Sequence, residues 1–239
     1  MSPTTPSSPA EPAPGRGLPP DGTGGGHVAI FDILRVDGAA TADALAGRIA
    51  REAAAWAGAP GFLLSRVHIA LDGRAVVHHT RWSGEARHSA SRPGPAGAGA
   101  PRAPERMPGV LSATSFRGAP AGGITGPAAG RAPGIVAVAT RHFAGPRQAR
   151  AVLDLLHRTG EWKRDFDGFI SATPYLDHDG RTFVNYPMWT DRSAYDAWMA
   201  DPRIAEGQGE IARLETAPPE YLVCTVASEA VAAPAEGTA

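Results

Sequence analysis

Three side chains within residues 181–198 carry polar groups that can converge on one surface. Asn185 carries an amide, Trp189 an indole N–H and Tyr195 a phenol, so this stretch offers neutral hydrogen-bond donors with little formal charge. Phe183, Val184, Tyr186 and Trp189 are β-branched or aromatic and predict a strand, after which Thr190 or Asp191 opens a helix. Asparagine is a poor strand former, so Asn185 needs a reason other than propensity. On a two-residue period Phe183, Asn185, Pro187 and Trp189 share one face, which sets the amide and the indole N–H on a common surface. The helix behind them carries Ala194, Tyr195 and Trp198 at core-facing spacing and brings the phenol above that surface. The pattern is that of a mostly apolar candidate pocket with a few converging polar groups. Each group also has a plainer role open to it: core packing for Trp189 and Tyr195, a strand-end turn for Asn185.

The elements that must position these residues occur twice. Gly61-Phe62 recurs as Gly168-Phe169, Asp72-Gly73-Arg74 as Asp179-Gly180-Arg181, and Trp82 as Trp189, all at one shift of 107 positions. Each copy reads as a strand (27–36; 135–143), a helix (41–56; 146–162), a strand (61–71; 168–176) and an Asp-Gly turn. A third strand (74–82; 181–189), a helix and a last strand (110–116; 220–226) complete it. The order βαββαβ predicts an α+β fold of two ferredoxin-like repeats. Such a unit covers only one face of its sheet with helices, so the two sheets are expected to pack on each other as an intrachain dimeric α/β barrel.

The boundaries follow from composition. Residues 1–26 are rich in Pro, Ser, Thr and Gly and predict a disordered tail. Repeat 1 spans 27–118, a linker 119–132, repeat 2 133–228, and a second tail 229–239. The 29 glycines and 23 prolines gather in these tails and linkers, so no glycine-rich phosphate loop follows a strand. A net charge of −1 argues against nucleic acid and anionic membranes as partners. No run approaches the roughly 18 apolar residues of a membrane helix, and the one cysteine, Cys224, fits a buried thiol in a reducing compartment. A soluble, cytoplasmic protein is expected. His78 and His79 are adjacent on a strand and point to opposite faces, the other histidines show no ligand spacing, and no metal site is expected.

The segment Asn-Tyr-Pro-Met-Trp at 185–189, with Tyr195 six residues later at a strand-to-helix junction, resembles the antibiotic biosynthesis monooxygenase (ABM) family. The resemblance spans both repeats and is clearer in the second. It implies an oxygenase of aromatic polyketide pathways, in which Asn185 and Trp189 position substrate and O2 and Tyr195 supplies a pocket hydroxyl. It further implies no tightly bound cofactor and O2 as cosubstrate; a reduced flavin used loosely leaves no motif and stays open. An electron-rich phenol or hydroquinone would supply the electrons, with quinone formation or oxidative ring cleavage as the outcome. Tyr186, Trp198 and Arg213 complete the expected substrate contacts, with Trp82, His78 and His88 of repeat 1. There His78 and His88 stand where repeat 2 has Asn185 and Tyr195, and repeat 1 reads as a scaffold half. A basic residue completes some pockets of this kind, and Arg203 and Arg213 are the nearest downstream. The expected partner is a small aromatic polyketide, and association of two chains as a homodimer is left open. Two other readings stand beside this one. One is a non-catalytic polyketide-binding or cyclase-assisting protein; the other is haem degradation, for which the helix after Trp189 lacks a histidine ligand.

Overall fold

Glycine marks the same corners in both halves of the chain. Gly73 and Gly180 turn the Asp-Gly hairpins at φ +67° and +64°, a region in which only glycine is free of strain. A Cβ would meet Ala39 2.9 Å away at Gly73 and Pro146 2.6 Å away at Gly180. Ala39 and Pro146 are the first residues of the two long helices, so each hairpin packs tightly on the start of its own unit's helix.

The computed structural model describes residues 26–84 and 104–233. The first unit comprises β1 (Val28–Val36), α1 (Ala39–Ala54), β2 (Phe62–Ala70), β3 (Ala75–Trp82) and β4 (Val110–Pro120). A short β5 (Ile124–Thr125) follows. The second unit has β6 (Ile135–His142), α2 (Pro146–Arg158), a 3-10 turn (Glu161–Asp165), β7 (Phe169–Leu176) and β8 (Thr182–Trp189). It ends with α3 (Arg192–Ala200), α4 (Pro202–Ala212) and β9 (Glu220–Val231).

All strands pair antiparallel in the order β4-β1-β3-β2-β9-β6-β8-β7-β5. The end of β4 also pairs with β7, at Ala119↔Leu176 and Pro120↔Tyr175, which closes eight strands into a barrel. The expected two-repeat α+β barrel is therefore observed. Its boundaries shift, because closure recruits more chain than pattern reading assigned. Residues 229–231, expected in the tail, pair with β2. Residues of the expected linker extend β4 and form β5 on the edge of β7. The expected tail at 1–25 lies outside the described residues.

Inward-facing residues Phe31, Val77, Phe116, Val138, Val184 and Cys224 fill the barrel. Polar side chains tie the units together within it. Arg66 of the first unit pairs with Glu229 and donates to Met188 Sδ at 3.1 Å, and His68 Nε2 lies 2.8 Å from the Tyr186 hydroxyl. His79 stacks flat on Phe31 at 4.2 Å, and both its ring nitrogens are buried without a hydrogen-bond partner. Burial holds these imidazoles neutral: His68 falls to about 3, His78 to about 4, and His79 well below its ordinary value.

The stability consequence has a definite sign. An unfolded imidazole binds its proton near 6.5, whereas the native ones stay neutral far below that. The unfolded state thus binds more protons, and stability falls as pH drops from about 6.5 toward about 4. Urea denaturation at pH 7.5, 6.0 and 5.0 should show a falling midpoint, less steep in His79→Phe; a midpoint independent of pH and of this substitution would refute the assignment.

Candidate active site

The helix-facing side of the second unit's sheet is paved with small residues. Ala137 and Ala139 of β6, Ala172 and Pro174 of β7 and Pro187 of β8 form its floor, and α2, α3, α4 and the 3-10 turn roof it. Small floor residues cannot reach the roof, and a cavity of about 370 Å³ remains, within the size range of small-molecule sites. Pro187 has no N–H to give, and the β6–β8 pairing is interrupted between Met188 and Asn185.

Asn185, Trp189 and Tyr195 all line this cavity. The Asn185 amide makes no side-chain hydrogen bond among the described residues. Trp189 is 1 % exposed, with Tyr195 and Trp198 set edge-on at 5.0 and 5.4 Å. Its Nε1–H is buried with no partner, a state that costs roughly 1–3 kcal/mol unless a ligand accepts the bond. Tyr195 is half-buried, which raises its phenol pKa. It rides on α3, whose N-terminus is capped by Asp191 Oδ1 accepting from the Ala194 N–H at 2.9 Å.

The remaining expected contacts divide. Trp198 borders the cavity while stacking on Phe169 at 4.7 Å. Tyr186 projects the other way, into the barrel, as alternation from Asn185 requires. Arg213 is exposed at the end of α4 and does not border the cavity. His78 and Trp82 lie under the helix side of the first unit. His78 bonds Ser65 at 2.9 Å and stacks on Trp56, and Trp82 packs with Val28, Ile30 and Phe62. His88 lies outside the described residues. Among the described residues no three His, Cys, Asp or Glu side chains converge as metal ligands.

Sequence reasoning missed Arg141. Its guanidinium, 5 % exposed, borders the cavity and donates to Glu215 at 2.6 Å, Gln208 at 3.1 Å and Tyr221 at 2.5 Å. The signal was available: on a two-residue period Arg141 follows Ile135, Ala137 and Ala139 as the only charge on that strand face. Arg203, which sequence reading did single out, stacks over Trp162 at 3.9 Å and pairs with Asp201 at 2.7 Å.

Residues 135–209 match the sequence model of the antibiotic biosynthesis monooxygenase family. The second unit carries the ABM sequence pattern over those residues. Tetracenomycin-F1 monooxygenase of Streptomyces glaucescens is 38% identical to this chain over 60 residues, which are 25% of this chain and 54% of that protein. The chain thus spans about half the length of that curated relative. An anthrone oxidase-like protein superposes with a TM-score of 0.65 at 15% identity, over 89% of this chain and 96% of its own. A ferredoxin-fold protein of Listeria monocytogenes related to antibiotic biosynthesis monooxygenases does so at 0.53 and 11%, over 85% and 96%. These two likenesses show the fold, and they extend across both units of the barrel. Among the described residues no helix is long and apolar enough to cross a membrane.

The Arg141–Glu215 ion pair at the cavity edge is buried. Arg141→Met would strand the Glu215 carboxylate and should cost ~3–5 kcal/mol in urea denaturation, with much of the loss recovered in Arg141→Met/Glu215→Leu. A cost below about 1 kcal/mol for the single variant would show that the pair is not needed.

Proposed function

We propose that the chain is an oxygenase that oxidises a polycyclic aromatic phenol or hydroquinone with O2, in aromatic polyketide biosynthesis, without a resident cofactor. The observation that carries this reading is a Trp189 N–H without a partner among the described residues, on the same mainly apolar cavity wall as the Asn185 amide. The ABM match of the second unit, and a relative named as a monooxygenase of tetracenomycin F1, support it.

The chemistry follows from what such a site provides. An ionised phenol is electron-rich enough to reduce O2 itself, and bond formation at a ring carbon gives a peroxide. Loss of water from it leaves a quinone carbonyl, so one oxygen atom stays on the ring and the other leaves as water, which takes the hydrogen of the attacked carbon and the phenolic proton. Water exclusion by the helix roof strengthens each hydrogen bond inside. Asn185 and Trp189 hold the oxygens on which charge collects, and the Tyr195 hydroxyl completes the polar set. The flat Ala and Pro floor accepts the ring system. The barrel is closed by the chain's own two units, so this reading requires no second subunit. A cytoplasmic setting agrees with one buried, unpaired thiol, Cys224.

Oxygen uptake by metal-stripped protein with 1,8-dihydroxyanthrone in air tests the proposal, with and without reduced flavin. Enzyme-dependent uptake without flavin is expected, lowered ~100-fold or more in Asn185→Ala and in Trp189→Phe. Absence of uptake across several anthrones and hydroquinones would overturn it. Turnover untouched by both substitutions would remove Asn185 and Trp189 from the catalytic set, and binding of the aromatic without any uptake would leave a binding or cyclase-assisting role.

A further inference from the structure

The cations around the cavity are not equivalent. Arg141 is neutralised by Glu215 and Arg203 by Asp201. Lys163, on the 3-10 turn, also borders the cavity, yet among the described residues it has neither a carboxylate nor a side-chain hydrogen bond. Its ammonium meets only the rings of Trp162 and Trp198, at 5.9 and 5.5 Å. An uncompensated cation in apolar surroundings is unfavourable unless an anion arrives to meet it.

Its place along the cavity is fixed by strand register. Trp189 lies opposite Ile135 and Phe183 opposite Arg141, so the two ends of the floor stand six residues apart, roughly 20 Å at ~3.3 Å per residue. Lys163 lies over Trp198, which packs edge-on against Trp189. The unpaired cation and the unpaired indole N–H therefore occupy the same end, remote from the neutralised Arg141.

We propose that Lys163 is the counter-ion of the substrate: the cavity binds its aromatic ligand as a phenolate, with the ionised oxygen beside Lys163 Nζ at the Trp189 end. The inference deepens the oxygenase reading and takes its chemistry from it. In the binding step the phenolic O–H bond breaks, its proton passes to solvent, and the electron pair stays on the oxygen beside the Lys163 ammonium; nothing is oxidised or reduced. Burial disfavours the bare ammonium and lowers the Lys163 pKa, and an anion beside it offsets that cost. The other titratable groups around it are Glu161, Arg164 and Asp165 on its own turn, His157 of α2, Tyr195 of α3, and Asp201 and Arg203 at the start of α4.

Alizarin tests the assignment. It is a planar tricyclic phenol already at the quinone level, so it is not consumed by O2, and it reddens on ionisation. Titrated into the full-length protein at pH 6–8, it should bind in its red, ionised form at a pH where free alizarin is still yellow. Lys163→Met and Lys163→Gln should lose the red form and bind about tenfold more weakly, while Lys163→Arg restores it. Red, ionised alizarin bound equally well by both neutral variants would overturn the proposal. Anthrone-dependent oxygen uptake, run in parallel, separates the two claims. Lys163-dependent ionisation without uptake in the parent protein leaves this inference standing and removes the oxygenase reading; uptake with unchanged alizarin spectra in the variants does the reverse.

Discussion

A four-stranded antiparallel sheet with helices on one face leaves two open edges and a bare apolar face, and the whole molecule is arranged around removing them. Two strands do this by changing partners along their length. β9 pairs with β6 over Glu220–Cys224 and with β2 from Cys224 to Val231, so that Cys224 faces both strands. β4 runs along β1 and then reaches β7 with its last residues. Each seam joins one unit to the other, satisfies backbone groups that would otherwise face solvent, and encloses the inner faces as a single core. The Arg66, His68 and Tyr186 contacts lie inside that core and bridge the units.

With the inner faces spent on closure, only the outer faces beneath the helices remain for a ligand. The two units differ there in side-chain volume. The second unit sets Ala137, Pro174 and Pro187 on its floor. At the shift of 107, the first has Ile30, Val67 and Thr80. Ile30 packs with Trp82, Val67 with the α1 residues Leu45 and Ile49, and Trp56 stacks on His78. A few branched side chains thus fill the space beneath α1 in the first unit, where the second keeps small residues and a cavity. The same divergence places Arg141, in its buried network, where the first unit has Leu34.

Much of this was legible because it rests on local rules. The positive-φ glycines at equivalent places, the Asp-Gly hairpins and the two-residue alternation fix the repeat, the strands and the face shared by Asn185, Pro187 and Trp189. What escaped depends on contacts between distant parts. Nothing in the sequence near residue 229 announces that it will pair with β2, since an edge strand's partner lies more than 150 residues away. Tyr186 was grouped with its neighbour Asn185 although alternation sends it inward. The partners of Arg141, which are Glu215, Gln208 and Tyr221, lie 67 to 80 residues further along the chain and meet it only in the fold. The helix expected at 146–162 ends early: α2 stops at Arg158 and the chain turns again at Glu161, which brings the Lys163 ammonium over the tryptophans.

The proposed chemistry requires a planar aromatic lying in the second unit's cavity with its oxygen on donors that the described residues leave unsatisfied. A crystal structure of the protein with a tricyclic hydroxyanthraquinone bound addresses this most directly. The rings should lie over Ala137, Ala139 and Pro187, with a ligand oxygen within hydrogen-bond distance of Trp189 Nε1 and a second polar contact to Asn185. A ligand seated inside the barrel or under the helix of the first unit, with the Trp189 N–H still unengaged, would contradict it.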